Sequence, residues 1–199
     1  MILLLARLTS AAEWSAEEHA LLESGAVVWR STPPTRGWVE GEAAILVNAP
    51  AEQLLAIVAD YDAYVAFLPY VTASQTLSSA SHEDGIAIRS RYELTTRGIK
   101  TSFTLENLLN PAQGTMTFRY TDGPGNIEKG GHGVWRTASW TDQRQLLTLS
   151  MTLPDQWWLP RGAEQQIAAI GLPTLVQEVA ERALMLPPRQ ADPSPSEQQ

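Results

Sequence analysis

The chain has 199 residues, 22 acids against 14 bases and a formal net charge of −8, with Lys100 and Lys129 as its two lysines. It contains no cysteine, which excludes disulfides and thiolate chemistry and leaves the redox state of its compartment open. The acidic balance and the lack of any run of bases argue against a nucleic-acid partner.

Met1 to Ala12 carries an apolar run at Ile2 to Leu5, with Ser10 and Ala12 at the −3 and −1 spacing of a cleavage site. The basic n-region is missing and the apolar run is short, so residues 1–14 read equally as a truncated export signal or a frayed start. Cytoplasm and periplasm both stay open. No run approaches the roughly 20 apolar residues that span a bilayer.

Ser15 to Glu18 is a capping box, S-x-x-E, and predicts a short helix with Leu21 and Leu22 on its apolar side and Gly25 ending it. Ala26 to Arg30 reads as an edge strand, broken at Pro33-Pro34, and Trp38 to Val47 as the next strand, with Val39, Ala43, Ile45 and Val47 on its apolar face. Asn48 as N-cap and Pro50 in the first turn predict a helix over Ala49 to Ala59. A carboxylate-and-tyrosine turn at Asp60, Tyr61 and Asp62 leads through Phe67, Leu68 and Pro69 into a strand over Val71 to Leu77, and Ser78 to Gly85 reads as a polar turn.

Period-2 alternation then dominates. Ile86, Ile88, Ser90, Tyr92 and Leu94 share one face. Ile99, Thr101, Phe103 and Leu105 do the same after a turn at Gly98, and Met116, Phe118 and Tyr120 after Asn110 to Gly114. A glycine-rich stretch from Asp122 to Gly133 reads as a mobile loop, followed by strands over Val134 to Trp140 and Leu147 to Leu153. Short turns between successive strands predict an antiparallel meander. From Arg161 the period becomes helical through Leu172, Val176, Val179 and Ala183, with a kink or restart expected at Gly171 and Pro173. Pro187 and Pro188 stop that helix, and residues 189–199 are expected to be disordered.

This order resembles the helix-grip fold of the START-like, or SRPBCC, superfamily. The segment AILVNAPAEQLLAIVADYDAYVAFLPYV, Ala44 to Val71, is similar to that superfamily's first strand, its A-P helix start and its D-Y turn before a proline. GHGVWR, Gly131 to Arg136, is similar to its Gly-x-Trp strand start. The nearest likeness is to the polyketide cyclase/dehydrase and coenzyme Q-binding START-type group, over about Ala26 to Leu186. The resemblance implies an α+β fold: a curved antiparallel sheet of about seven strands wrapped around a long C-terminal helix, with two short helices after the first strand. It implies one such domain over 15–188, an apolar cavity between sheet and helix, and a lipid, prenylated quinone or similar hydrophobic ligand.

The three histidines, His19, His82 and His132, have no ligand spacing, and no nucleotide or nucleophile-elbow motif is present. No metal, cofactor or catalytic set is expected. Asp60 and Asp62 read as turn-forming aspartates bonding the next turn rather than as an acid–base pair. The expected ligand-binding residues are Tyr64, Phe67, Leu68, Tyr92, Phe103, Phe118, Tyr120, Trp135, Met151, Leu172, Val176 and Val179, with Tyr92, Tyr120 and Ser90 as polar groups among them. Trp157 and Trp158 suggest transient membrane contact, and a monomer is expected. The alternative is a cyclase- or dehydratase-like enzyme on a polyketide-type substrate, in which Tyr120 or Arg136 holds an enolate-like oxygen.

Overall fold

The expected capping box forms: Ser15 Oγ accepts from the Glu18 backbone N–H at 3.3 Å and Glu18 Oε2 accepts from the Ser15 N–H at 2.7 Å. It starts helix α1 (Ala16–Glu23), which buries Leu22, leaves Leu21 exposed and ends at Gly25 with φ +84°. The computed structural model describes residues 14–32, 37–96, 99–154 and 163–187. The expectations placed on residues 1–13, on Pro33-Pro34, Gly98, Trp157 and Trp158, and on 189–199 lie outside these.

Among the described residues eight strands make one antiparallel sheet, one more than the approximate count the resemblance implies. In chain order they are β1 (Val28–Ser31), β2 (Trp38–Val47), β3 (Val71–His82), β4 (Gly85–Thr96), β5 (Ile99–Asn110), β6 (Thr115–Asp122), β7 (His132–Ser139) and β8 (Gln145–Pro154). Their order across the sheet is β1-β2-β8-β7-β6-β5-β4-β3. Strand β3 runs five residues beyond the expected end at Leu77, because Ser78 to His82 pair with Arg89 to Gly85 of β4. Pairing with a long neighbour overrides the turn propensity of that serine run, and the turn shrinks to Glu83 and Asp84.

Between β2 and β3 lie α2 (Ala51–Ala59), a 3-10 turn at Tyr61–Ala63 and α3 (Tyr64–Phe67). Helix α2 starts slightly later than its sequence suggests: Pro50 is the N-cap, its carbonyl accepting from Gln53 and Leu54, and Asn48 does not cap. Asp62 reaches farther than the next turn. Its Oδ1 accepts from the backbone N–H of Thr76 in β3 at 2.9 Å, clipping the 3-10 turn to the sheet edge.

The glycine-rich stretch is not an open loop. Pro124–Lys129 forms a 3-10 helix, and Ile127 is fully buried in the main core. The last helix, α4 (Ala163–Met185), neither stops nor restarts at Gly171, and Pro173 lies inside it. A proline there forfeits one helical hydrogen bond, and packing of Leu172, Val176, Val179, Ala180 and Ala183 against the sheet holds the helix together.

The sheet curves around α4, giving the helix-grip architecture, and its two faces have separate apolar clusters. On the concave side the strands, α2, α3 and α4 share the main core. On the convex side Leu22, Val28, Ala44 and Leu46 form a smaller cluster with Trp14, Trp140 and Leu146. Strand β2 therefore buries both faces, with Ala43, Ile45 and Val47 inward and Ala44 and Leu46 outward. Glu23 fastens α1 there, accepting from Trp140 Nε1 and pairing with Arg144.

Candidate functional site

Alternation sends Ile88, Ser90, Tyr92 and Leu94 of β4 inward beside Phe103, Leu105, Asn107 and Leu109 of β5, with Met116, Phe118 and Tyr120 of β6 continuing the face. All twelve expected ligand-binding residues fall in this one cluster. Tyr64, Leu68, Phe103, Phe118, Tyr120, Trp135, Leu172, Val176 and Val179 are buried in it, while Phe67, Tyr92 and Met151 are half-buried against it. The aromatic members touch: Tyr92 stacks on Phe103 with centroids 5.1 Å apart, and Tyr120 meets Phe103 edge-on at 5.7 Å and Phe118 at 6.0 Å. A second run, Tyr61, Tyr64 and Phe67, continues from the 3-10 turn into α3, with centroid separations of 4.6 and 5.7 Å.

Glycine makes room for one of these rings. Phe118 lies directly across the sheet from Gly133, and a Cβ at that position would collide with the Phe118 ring and come within 2.6 Å of the Ser150 carbonyl oxygen. Gly41 plays a similar part under Leu172 of α4, where an added Cβ would meet Cδ1 at 2.5 Å.

Hydrogen-bonding groups interrupt this apolar interior. Tyr61 O–H donates to Asn107 Oδ1 at 2.7 Å, and Asn107 Nδ2 donates to the Ile88 carbonyl and to Ser90 Oγ, both at 3.0 Å. Tyr64 O–H donates to the Val58 carbonyl. The Tyr92 and Tyr120 hydroxyls are 3.3 Å apart. Burial raises the pKa of all four phenols, most simply because a phenolate would lose its water. Tyr120 is pushed up to about 12, its hydrogen bond with Tyr92 offsetting part of the burial. At neutral pH these groups donate and accept hydrogen bonds and keep their protons.

Tyr61 and Asn107 are the two members that sequence reasoning missed. Asn107 had a signal: extending the Phe103, Leu105 alternation one step places it inward, an amide on an apolar face. Tyr61 read only as part of a turn. Arg136, the alternative holder of an enolate-like oxygen, follows inward-facing Trp135 on β7 and so lies on the opposite, convex face. Among the described residues the buried polar side chains are Gln53, Ser90, Thr101, Thr104, Asn107 and Thr148, all uncharged.

The two ends of this interior differ. At one end Gln53 of α2 donates Nε2 to the carbonyls of Ala183 (2.8 Å) and Leu186 (3.3 Å), satisfying orphan acceptors at the end of α4. At the other, Tyr92 and Leu94, Met151 and Leu153, and Leu175 of α4 pack against the core while staying half-buried. Two clefts lie nearby. One of about 750 Å³ runs between α2 and the end of α4, lined by Gln53, Ile57, Asp60, Leu109 and Leu186. Another of about 480 Å³ crosses β3 to β6, and Phe118 is its one member from the expected set.

The comparisons with known proteins agree with this architecture. The family model "Polyketide cyclase / dehydrase and lipid transport" matches residues 47–180. No curated protein matches the sequence. A structure from Thermus thermophilus superposes with TM-score 0.61 at 18% identity, covering 73% of this chain and 97% of that one. A START superfamily protein from Mycobacterium smegmatis gives 0.60 at 18% identity, over 74% and 99%. A STAR-related lipid transfer protein from Xanthomonas axonopodis gives 0.54 at 12% identity, over 78% and 98%. By its sequence match and the sheet wrapped on its last helix, the chain belongs to the polyketide cyclase/dehydrase and lipid transport family.

Proposed function

We propose that this protein binds and carries a hydrophobic small molecule, a lipid, prenylated quinone or similar, between the concave face of the sheet and α4. The observation that carries the reading is the make-up of that face: apolar and aromatic side chains interrupted by neutral hydroxyls and one amide. The twelve residues from Tyr64 to Val179 named above would line the ligand, which enters where Tyr92, Leu94, Met151, Leu153 and Leu175 are half-buried. A ligand losing on the order of 300 Å² of apolar surface would gain roughly 7 kcal/mol before ordering costs. The family description names lipid transport, and the Xanthomonas relative is titled a lipid transfer protein. No helix among the described residues is long and apolar enough to cross a membrane.

The cyclase- or dehydratase-like reading draws on the same family description and on the inward Tyr120 hydroxyl. Such chemistry gains from an ionisable group with a pKa near the working pH. The fully buried polar side chains named above are neutral and the buried phenols titrate far above that, which favours carriage. Native mass spectrometry of the purified protein, followed by solvent extraction, should show a co-purified apolar ligand. Extracts without one, together with no binding of a lipophilic dye, would sink the proposal.

A further inference from the structure

We infer that Tyr92 and Tyr120 form the polar recognition point of this interior, taking one uncharged acceptor oxygen of the ligand, such as a ketone, quinone or ester carbonyl. The inference rests on the carriage reading and narrows the class of molecule carried. It follows from an account of the buried hydroxyl protons. Tyr61 gives its proton to Asn107 Oδ1, and Tyr64 gives its own to the Val58 carbonyl, so both donors are used within the protein. Tyr92 and Tyr120 hold two protons between them and share one contact at 3.3 Å. Whichever hydroxyl donates, the other proton has no acceptor among the described residues. Buried donors in folded proteins are almost always satisfied, so the pair keeps one donor to offer an oxygen that reaches it.

Its placement suits that task. Tyr120 is 4% exposed, whereas Tyr92 is half-buried beside Leu94, so a molecule entering at that end, as the carriage reading has it, meets Tyr92 first and Tyr120 deeper in. Phe103 packs on both rings and Phe118 meets Tyr120 edge-on, which holds the phenols in place before binding and lowers the ordering cost. Asn107, Ser90 and Tyr61 satisfy one another and act as wall.

Charge sets the specificity. The rings packed on the pair belong to Phe103 and Phe118, both neutral, and burial keeps both phenols protonated at physiological pH. A carboxylate or phosphate placed here would shed its hydration for neutral donors alone, which is a poor exchange. A carbonyl oxygen gives up little water and regains a hydrogen bond. The expected ranking for one chain length is ester or ketone first, hydrocarbon next and carboxylate last.

The test uses diphenylhexatriene, a hydrocarbon fluorophore without oxygen, displaced at neutral pH by methyl laurate, dodecane and laurate. Methyl laurate should displace it at a concentration about tenfold below that of laurate. Each single Tyr→Phe variant leaves one hydroxyl proton, so the informative protein is the double variant Tyr92→Phe/Tyr120→Phe. Scaled to its own directly measured affinity for diphenylhexatriene, and with circular dichroism confirming the fold, its apparent affinity for methyl laurate should fall about fivefold against wild type, the equivalent of one net hydrogen bond. If the wild type fails to bind diphenylhexatriene, the carriage reading falls. If it binds, but laurate competes as well as methyl laurate or the double variant keeps the wild-type affinity for methyl laurate, this inference alone is overturned.

Discussion

Replacing Asn107 by leucine removes the amide that joins the 3-10 turn to two strands, at nearly constant volume. Three hydrogen bonds disappear, at 2.7, 3.0 and 3.0 Å, so the Tyr61 hydroxyl, Ser90 Oγ and the Ile88 carbonyl each lose their bond to the amide. Ser90 is 0% exposed and Tyr61 is 3% exposed, so water cannot take the place of the amide. Three net bonds at about 1 kcal/mol each give a loss of about 3 kcal/mol, with packing nearly unchanged. For a chain of 199 residues that corresponds to a fall in Tm of roughly 6 to 12 °C. Thermal melts followed by circular dichroism would measure it, with urea titrations checking that the slope, and so the surface exposed on unfolding, stays constant. Combining Asn107→Leu with Tyr61→Phe should cost about 1 kcal/mol less than the sum of the singles, because the double variant no longer strands the phenol proton. A single variant melting within about 2 °C of wild type, or strictly additive effects, would refute the idea that this network is dry and fully engaged.

Three further outcomes are expected. Gln53→Ala should cost about 1 to 2 kcal/mol by leaving the Ala183 and Leu186 carbonyls without their donor, and hydrogen exchange should quicken at the end of α4 while β5 and β6 stay protected; unchanged exchange there would contradict the anchoring role. Gly133→Ala should lower the urea midpoint by the equivalent of about 1 to 3 kcal/mol, because the new Cβ meets the Phe118 ring and lies 2.6 Å from a backbone oxygen; an unchanged midpoint would rule out that close approach. Alkaline pH should unfold the protein through its buried phenols. Tyr120 titrates at about 12 when folded against 10.0 otherwise, so its contribution is complete below pH 10 and is lost as pH climbs towards 12, on the order of 3 kcal/mol, with Tyr61, Tyr64 and Tyr92 acting in the same direction. Tyrosinate absorbance should therefore rise together with loss of circular dichroism, and these four phenols titrating near pH 10 in a still-folded protein would contradict the assignment.

The strands are legible because alternation records which face is wet, and Ser90, Tyr92 and Leu94 show that face even where a serine interrupts it. The caps of α1 are legible for a similar reason, since Ser15 and Glu18 act on backbone groups three residues away. Elements whose reasons lie far along the chain are harder to read. The serines of β3 look like turn formers until a long β4 is set beside them, and Ile127 looks like a stray in a glycine loop until the core it enters is known. The same distinction holds at the site. Its apolar wall follows from hydrophobicity, whereas the network of Tyr61, Asn107 and Ser90 joins residues 46 and 17 positions apart and has no local signature. Arg136 shows that alternation can also correct a candidate: one step from an inward tryptophan is one step outside.

The anchoring of α4 by Gln53 has a consequence for how the chain is made. Gln53 waits for Ala183, 130 residues later, and Val47 of β2 waits for Gln145 of β8. A ribosome delivers the first two strands and α2 long before either partner exists, and the concave aromatic face before the helix that covers it. Contacts of this separation form slowly, and their apolar surfaces are exposed to aggregation in the meantime. The contacts that close α4 over the concave face thus form only after most of the chain described here has been made, and damage to them should show first as poor yield of soluble protein in warm cells.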